Sequence, residues 1–529
     1  MSVFKPATEW IAPDTFPTEL LVKSKEVAID LETRDPNLMS MGPGYIRGDG
    51  EVVGVAVACD GFENYFPFGH ESGFNFPKNK VVNFIKKVCA SDNDKIFHNS
   101  TYDVGWLEAL GIKVNGRIID TMIIAPLVDE NHYSYSLNAL GRMYLNEGKT
   151  ETELNEAAAE WGLDPKAEMW RLPSAYVGTY ATQDAALTLK LWNYFKVELE
   201  NQNLWNVFDL EMDVLPLIMD MKRTGVRVDL ERAELIKKDL ISKEKKLLKQ
   251  IEQDSGVKDI QIWAARSLAK VFDALKLSYL RTPTGQPSFT KAFLENHTHP
   301  VAAMIREVRE LNKSHSTFID SILKHEYKGR IHAEIRQLKG ESGGTVTGRL
   351  SMSNPNLQQV PARNKRIGPL IRSLFLPEEG ERWCSADFSQ QEPRILTHYS
   401  DLSKYEGADI IADAYREGDA DFHQEVATLV GIDRSTAKTI GLGIMYGMGK
   451  GKLADQLGVT LDEAAEVLSK FNTYAPFVRQ LADSVMRSAN QKGYIKTLLG
   501  RRCHFDMWEP VKYGTGRPMK YKEAIHELS

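Results

Sequence analysis

The sequence is poor in cysteine and has no long apolar run. Its four cysteines, Cys59, Cys89, Cys384 and Cys503, lie far apart among 529 residues and form no Cys-x-x-Cys pair. This spacing argues against a cysteine-ligated zinc site and predicts free thiols in a reducing compartment. No apolar stretch approaches the roughly 20 residues that span a bilayer, and the N-terminus lacks the features of a signal peptide. We therefore expect a cytoplasmic protein.

An excess of positive charge is also absent. The formal net charge is −6, from 66 Lys and Arg against 72 Asp and Glu, so composition does not indicate a nucleic-acid-binding protein. The charges are unevenly spread, however, because the segment from Arg349 to Arg372 contains basic residues and no acid. The length predicts about two to four domains. Composition alone leaves the function open.

Two acids alternate within an apolar segment near the N-terminus. Residues 27–33 read Val-Ala-Ile-Asp-Leu-Glu-Thr, which predicts a β-strand. Side chains two residues apart share a face of a strand, so Asp30 and Glu32 project together. Neighbouring buried carboxylates repel unless a cation lies between them, and oxygen ligands suit Mg²⁺ or Mn²⁺. For this motif alone, a solvent-facing strand edge is the simpler alternative.

Two later segments carry further acids. Residues 97–103 place Asp103 where a strand gives way to a helix that we expect to begin near Val104. Residues 180–184 precede a strong helix-forming run, so Tyr180 and Asp184 share a helix face. Taken singly, Asp103 is equally explained as a helix N-cap, and Tyr180 with Asp184 as a surface pair.

The order of these three motifs across residues 25–191 resembles the proofreading 3′→5′ exonucleases of the four-carboxylate family, in the subtype with tyrosine in the third motif. The resemblance implies an α/β, ribonuclease H-like domain with a mixed sheet and helices. It also implies that Asp30, Glu32, Asp103 and Asp184 hold two Mg²⁺ ions, with Mn²⁺ as an alternative. Tyr180 would orient the attacking water. Such ions activate water and neutralise charge on the phosphate.

Residues 204–328 are helical in pattern and carry no acid-base motif. Apolar residues recur at helical spacing in 210–221 before Gly225 breaks the pattern, and 239–254 and 301–324 predict two further amphipathic helices. We interpret their basic residues mainly as solvated. The alternative is contact with DNA phosphates, which is independent of sequence and sensitive to salt.

Two motifs dominate the second half. Residues 347–358 read Thr-Gly-Arg-Leu-Ser-Met-Ser-Asn-Pro-Asn-Leu-Gln, and residues 385–394 read Ser-Ala-Asp-Phe-Ser-Gln-Gln-Glu-Pro-Arg. We expect residues 382–388 to form a short strand that ends near Asp387, followed by a helix. Both motifs resemble those of family A DNA polymerases. The resemblance implies that Asp387 binds both catalytic metals and that Glu392 is the steric gate against a ribose 2′-OH.

The resemblance extends to a predicted fingers helix, on which Arg434, Lys438, Leu442 and Tyr446 lie four residues apart. Arg434 and Lys438 would clamp a triphosphate, and Tyr446 would stack on the templating pair. Relatives usually carry an aromatic residue in place of Leu442, so leucine should alter the pocket near the sugar without abolishing activity. Further nucleotide-binding and DNA-binding residues implied by the resemblance are Gln390, His423, Arg349, Asn356, Gln358, Arg363, Arg501 and Arg502.

One motif of family A polymerases is missing from the sequence. Their His-Asp-Glu tripeptide, whose aspartate completes the two-metal site, does not occur. The segment around His526 and Glu527 lacks the aspartate and lies too close to Arg502, so we reject it as that motif. We therefore expect either a second polypeptide that completes the polymerase site or a truncated sequence.

The predicted organisation is an exonuclease domain at 1–198, a helical thumb at 199–345 and the first part of an α+β palm at 346–418. Helical fingers follow at 419–500, and an incomplete return to the palm at 501–529. No 5′-nuclease domain precedes the exonuclease, so we expect a phage replicase in the host bacterial cytoplasm. Its expected partners are primer-template DNA, deoxynucleoside triphosphates and the second polypeptide, with a processivity factor as a further candidate.

Two alternatives remain beside DNA synthesis with proofreading. One is an exonuclease with an inert, DNA-binding polymerase half. The other is a fragment that binds primer-template without catalysis. The presence of Asp387, Glu392, Arg434 and Lys438 together favours synthesis, because an idle site has no reason to retain them.

Overall fold

A computed structural model describes residues 8–340, 343–362, 364–418 and 421–505. The chain divides into two compact units, with the division between Arg382 and Trp383. The finer domain boundaries expected from the sequence do not coincide with this division and stay predictions. Among the described helices, none has both the length and the apolar character that a membrane crossing requires.

The first unit is organised around a five-stranded sheet with strand order β3-β2-β1-β4-β5. The central strand β1 pairs antiparallel with β2 and parallel with β4, so the sheet is mixed, as predicted. A β-bulge interrupts the β1–β2 register between Glu32 and Thr33. The strands are β1 (Glu26–Arg34), β2 (Glu51–Cys59), β3 (Phe62–Pro67), β4 (Asp94–Phe97) and β5 (Ile118–Asp120).

The side chains of β1 alternate between two apolar cores. Val27, Ile29 and Leu31 pack into one core, whereas Ala28 belongs to the other. Asp30 and Glu32 have the same parity as Ala28 and therefore share its face. The predicted alternation along this strand is confirmed.

Helices surround the sheet, and the longest of them, α8, packs against β1, β2 and β3. Close packing here requires Gly178, because a Cβ at that position would lie 2.1 Å from Cδ2 of Trp10. The helices of this region are α1 (Thr18–Lys23), α2 (Leu38–Met41), α3 (Lys78–Ala90), α4 (Ser100–Ala109), α5 (Thr121–Val128), α6 (Leu137–Leu140), α7 (Thr152–Trp161) and α8 (Ser174–Asn201).

The rest of the first unit is mainly helical, as the sequence predicts. Residues 210–221 fall in α9 and residues 239–254 in α10, while 301–324 form α13 and α14 with a π-helical segment, Ser314–Ile319, between them. These helices are α9 (Trp205–Thr224), α10 (Leu230–Ser255), α11 (Ala265–Ala274), α12 (Lys291–Asn296), α13 (Pro300–Lys313), α14 (Asp320–His325) and α15 (Ile367–Arg372).

Short strands accompany these helices, and four of them form a sheet of order β13-β6-β10-β9. They are β6 (Val226–Val228), β7 (Leu280–Arg281), β8 (Pro287–Ser288), β9 (Glu326–Tyr327), β10 (Arg330–Ile331), β11 (Glu334–Arg336), β12 (Ser351–Ser353) and β13 (Phe375–Leu376).

A buried ion pair joins α9 to β11. Lys222 Nζ lies 2.8 Å from Glu334 Oε2, and the two side chains are 2% and 15% exposed. Elsewhere on α9, the carboxylate of Glu211 accepts a hydrogen bond of 2.7 Å from Gln337 Nε2. Buried charges of this kind are tolerated only while their partners are present.

In its described residues, the second unit is a cluster of helices with one short β-hairpin. Its elements are α16 (Gln391–Leu402), α17 (Ala408–Glu417), α18 (Phe422–Val430), α19 (Arg434–Met445), α20 (Lys450–Leu457), α21 (Leu461–Tyr474), α22 (Pro476–Lys492), β14 (Tyr494–Lys496) and β15 (Arg502–His504). The helix predicted after Asp387 is α16. The strand expected at residues 382–388 is wrong, because these residues are exposed and pair with no described strand.

We expect Lys222→Met to lower the free energy of unfolding by about 3 kcal/mol or more, because Glu334 loses its buried counter-charge. Urea unfolding followed by tryptophan fluorescence measures this loss. The matched control is Lys243→Met, which removes an exposed pair with Asp239 and should cost at most about 0.5 kcal/mol. Equal stability of the two variants would contradict the assigned role of the buried pair.

Candidate functional site

Three acids of the first unit meet between β1 and α8. Asp30, Glu32 and Asp184 each offer a carboxylate oxygen, and these oxygens all lie within 4.8 Å of one another. Glu32 and Asp184 are buried, at 8% and 4% exposure. Asp184 and Tyr180 lie one turn apart on α8. The predicted grouping of these residues, and the shared helix face, are therefore present in the fold.

Asp103 approaches this group from α4 but is not one of the three that share the 4.8 Å distance. Its Oδ1 accepts a hydrogen bond of 3.2 Å from the backbone N–H of Leu31, which lies between the two acids of β1. The helix begins at Ser100 and not near Val104. Asp103 is thus inside the first turn, so the N-cap interpretation is wrong. The left-handed conformation of Asn99, with φ 75°, starts the helix earlier than apolar patterning suggested.

Asp120, which sequence reasoning missed, fixes this turn. Its Oδ2 accepts hydrogen bonds of 2.7 Å from both the backbone N–H and the hydroxyl of Ser100, and its Oδ1 accepts one of 3.1 Å from Asn99 N. Asp120 also caps α5 through Met122 N. One buried carboxylate therefore positions the turn that carries Asp103. The signal in the sequence that could have revealed Asp120 is its place as a capping aspartate directly before the apolar helix α5.

Burial and mutual repulsion dominate the electrostatics of the three-acid group. Burial, followed by the charge of Asp184, raises the pKa of Asp30 to about 7. Burial also raises the pKa of Glu32 well above its ordinary value, with Asp30 contributing. Glu32 Oε1 and Asp184 Oδ1 are buried and have no hydrogen-bond partner. Unsatisfied carboxylate oxygens so close together fit the oxygen ligands that a divalent cation requires.

Lys149 is a second residue that the motifs did not reveal. Its Nζ lies 2.5 Å from Asp184 Oδ2 and 3.1 Å from the hydroxyl of Tyr180. Tyr180 itself is buried enough that the pKa of its phenol is raised well above the ordinary value, with Asp184 contributing. The lysine lies in a polar loop, where no pattern distinguishes it from a solvated residue.

In the second unit the predicted nucleotide-binding residues form pairs. Tyr446, which directly follows α19, donates from its hydroxyl to Glu392 Oε1 at 2.7 Å. Arg434 Nε donates to Asp421 Oδ2 at 2.7 Å. Gln390 Oε1 accepts from the Tyr415 hydroxyl at 3.2 Å and from the Phe422 backbone N–H at 2.9 Å. Asp421, Tyr415 and Phe422 are contacts that the motifs did not indicate.

The remaining residues expected near the nucleotide differ in exposure. Lys438 is exposed and Leu442 half-buried on α19. His423 is 2% exposed, and burial, followed by the charge of Lys438, lowers its pKa. Asp387 is exposed, and within the described residues it joins no group of three potential metal ligands.

The residues expected to contact DNA are spread over both units. Asn356 Oδ1 accepts from Gln358 N at 3.1 Å, and Gln358 Nε2 donates to Leu350 O at 2.9 Å, so both side chains also fix their own loop. Arg349 is exposed, and Arg501 is half-buried. The guanidinium of Arg502 lies 4.1 Å from the centre of the Tyr494 ring. Arg363 lies outside the described residues.

Two family models match the chain. The model described as 3′-5′ exonuclease matches residues 10–200, and that described as DNA polymerase family A matches residues 230–523. Among solved structures, the POL domain of Pol1 from M. smegmatis, in a complex with DNA primer-template and dNTP, has a TM-score of 0.75 at 22% identity. That similarity covers 98% of this chain and 85% of the other, and it shows a shared fold.

Curated proteins similar to this chain are also DNA polymerases. A DNA-directed DNA polymerase of Pseudomonas phage M6 is 34% identical over 94% of this chain and 83% of the relative. DNA polymerase DpoZ of Salmonella phage PMBT28 is 32% identical over 91% and 82%. DNA polymerase I of Chloroflexus aurantiacus is 29% identical over 95% of this chain but only 54% of the relative. The chain therefore belongs to the family A DNA polymerases and carries a 3′-5′ exonuclease domain.

Proposed function

We propose that Asp30, Glu32, Asp103 and Asp184 hold two Mg²⁺ ions, which Mn²⁺ can replace, for 3′→5′ excision of nucleotides. The observation that carries this proposal is the approach of three carboxylates, from Asp30, Glu32 and Asp184, within 4.8 Å. Two of their oxygens are buried without hydrogen-bond partners. An acid cluster of this kind is costly unless cations compensate it.

Each side chain has a distinct part in the proposed reaction. When bound, the ions would supply activated water and offset charge on the phosphate. The two acids of β1 and Asp184 of α8 face each other, so they would hold the ions from opposite sides. Asp103, hydrogen-bonded to the backbone of β1, would add a fourth carboxylate from α4. The raised pKa of Tyr180 keeps its hydroxyl protonated, so it can donate a hydrogen bond that orients the attacking water.

For the polymerase we propose that Asp387 binds the catalytic metals and Glu392 gates the sugar. Arg434, Lys438 and His423 would contact the triphosphate, and Tyr446 would stack on the templating pair. The contacts between Glu392 and Tyr446, and between Arg434 and Asp421, support a preassembled pocket. The exposed Arg349 would reach the minor groove, which it can check for shape without reading sequence. The remaining predicted DNA contacts, Asn356, Gln358, Arg363, Arg501 and Arg502, would follow the template and primer.

We further propose that a second polypeptide, or a longer form of this chain, supplies the other metal-binding aspartate, in phage DNA replication in the host bacterial cytoplasm. Two supports exist for this partner. No His-Asp-Glu tripeptide occurs in the 529 residues. Large apolar side chains that follow Asp387 in the second unit are also open to solvent, since Phe388 is 79%, Ile395 46% and Leu402 61% exposed. Apolar surface of this kind is typical of a protein interface.

We expect the double variant Asp30→Ala with Glu32→Ala to lose Mg²⁺-dependent degradation of single-stranded 3′ ends while keeping its fold. The loss follows because one side of the proposed metal site disappears. A gel assay with a 3′-labelled oligonucleotide measures it, and circular dichroism checks the fold. The matched control, Asp60→Ala with Glu63→Ala, removes two exposed acids of the β2–β3 hairpin and should degrade the substrate at the wild-type rate. Full activity in the first variant would remove these acids from the site.

We expect this chain alone to extend a primer negligibly, because Asp387 supplies a carboxylate from one side only of a two-metal site. Adding a polypeptide that carries a His-Asp-Glu hairpin should restore synthesis in a primer-extension assay. The control is the same mixture with Asp387→Ala, which should stay inactive. Robust extension by the purified chain alone, abolished by Asp387→Ala, would refute the need for a partner.

We expect Leu442→Tyr to raise incorporation of 2′,3′-dideoxynucleotides in the active complex. A phenol at this position of α19 can substitute for the missing 3′-OH contact. Competition between a dideoxynucleotide and its normal counterpart, in single-nucleotide extension, measures the ratio. If wild type and variant discriminate equally, Leu442 does not line the sugar pocket.

A further inference from the structure

Lys149 lies within the acid cluster although it comes from a loop. Its Nζ is 2.5 Å from Asp184 Oδ2 and 3.1 Å from Tyr180 Oη, and it lies 4.8 Å from the centre of the Tyr180 ring. The side chain of Lys149 is 13% exposed and that of Asp184 is 5% exposed. A charged hydrogen bond this short and this well shielded from water is among the strong ones.

Hydrogen bonds hold the loop that carries Lys149 in place. The backbone N–H of Lys149 donates to Asn138 Oδ1 at 3.0 Å. On α8, Gln183 donates its Nε2 to Gly148 O at 2.9 Å and accepts from Thr150 N at 2.5 Å through its Oε1. Gln183, which directly precedes Asp184, therefore holds the backbone on both sides of Lys149. The contact between Lys149 and Asp184 is fixed by the packing of this loop on α8.

The charge of Lys149 reaches the other acids as well. Burial and neighbouring acids raise the pKa of Asp30 and of Glu32, and the lysine opposes this rise. The Lys149 ammonium, in an ion pair with Asp184 at 2.5 Å, offsets part of the negative charge of the cluster.

We propose that Lys149 is a positioning residue of the exonuclease and the internal counter-ion of its metal site. It holds Asp184 and Tyr180 in place when no metal is bound, and it yields Asp184 Oδ2 when a divalent ion binds. The inference rests on the proposed function of the acid cluster as that metal site. Its physical basis is that one cation in contact with a ligand oxygen both blocks and repels a second one.

Two opposite effects of removing the ammonium follow from this role. Without metal, Lys149→Met leaves the acids without their counter-charge and destabilises the protein. With metal, the same variant offers an incoming ion a carboxylate that has no competitor, so the ion binds more tightly. A lysine that served only to pack the loop would, when lost, loosen the acids and weaken both properties together.

The test compares the full 529-residue chain with Lys149→Met and Lys149→Gln at pH 8.5. Thermal unfolding in EDTA should show an apparent melting temperature lower by about 3 °C or more in both variants. Calorimetric titration with MnCl₂ should show a dissociation constant roughly tenfold lower than that of the wild type. This is the size of an electrostatic effect of one pKa unit. Glutamine keeps a hydrogen-bond donor without the charge, so it tests the charge even where methionine disturbs the loop.

Two further variants separate a failure of the metal-site assignment from a failure of the role of Lys149. Lys190→Met removes an exposed α8 lysine that pairs with Glu147 at 2.6 Å, and it should match the wild type in both measurements. Manganese binding that persists in Asp30→Ala with Glu32→Ala would overturn the metal-site assignment itself. If that double variant loses manganese but neither Lys149 variant binds it more tightly than wild type, the role of Lys149 is overturned and the assignment stands.

Discussion

The first unit is built around carboxylates crowded together in its interior. Buried acids repel one another and lose hydration, so a fold that gathers them needs compensating charge or hydrogen bonds. Here the compensation is specific: Leu31 N donates to Asp103, the turn at Ser100 is held by Asp120, and Lys149 contacts Asp184. Glu32 Oε1 and Asp184 Oδ1 nevertheless remain without a hydrogen-bond partner among the described residues. The position of β1 against α8 makes this arrangement possible, because alternate residues of β1 serve an apolar core and the acid cluster.

The paired side chains of the second unit are more exposed than the acids of the first. Arg434 pairs with Asp421 and Glu392 with Tyr446, where Arg434 and Tyr446 are exposed and Asp421 and Glu392 are half-buried. Exposed ion pairs contribute only about 0–1 kcal/mol to the stability of a protein. Buried acids in the first unit are fixed by the fold before any ligand arrives. In the second unit, by contrast, Arg434 is held by an ion pair with Asp421 that is partly open to solvent.

Much of this arrangement is predictable from local sequence periodicity. The two-residue period of a strand predicts that Asp30 and Glu32 share one face of β1. The spacing of four residues along a helix predicts that Tyr180 lies beside Asp184 on α8 and that Arg434 lies beside Lys438 on α19. Periodicity failed where structure depends on a partner distant in sequence. The expected strand at residues 382–388 has no neighbour to pair with in the described part of the chain, and the helix of Asp103 begins at a left-handed Asn99 that no apolar pattern marks. Lys149 and Asp120 were missed for the same reason, since only the folded chain brings a loop lysine or a capping aspartate to the site.

The central place of β1 in the sheet also governs the order in which the chain can fold. Its pairing with β2 is local, but its pairing with β4 and its packing against α8 join segments far apart in sequence. Contacts of high sequence separation are slow to form, because the intervening chain must first lose its conformational freedom. Asp184 therefore stays apart from Asp30 and Glu32, and hydrated, until α8 docks. During synthesis the repulsion between Asp184 and the acids of β1 can begin only after Lys149, which compensates it, has been translated.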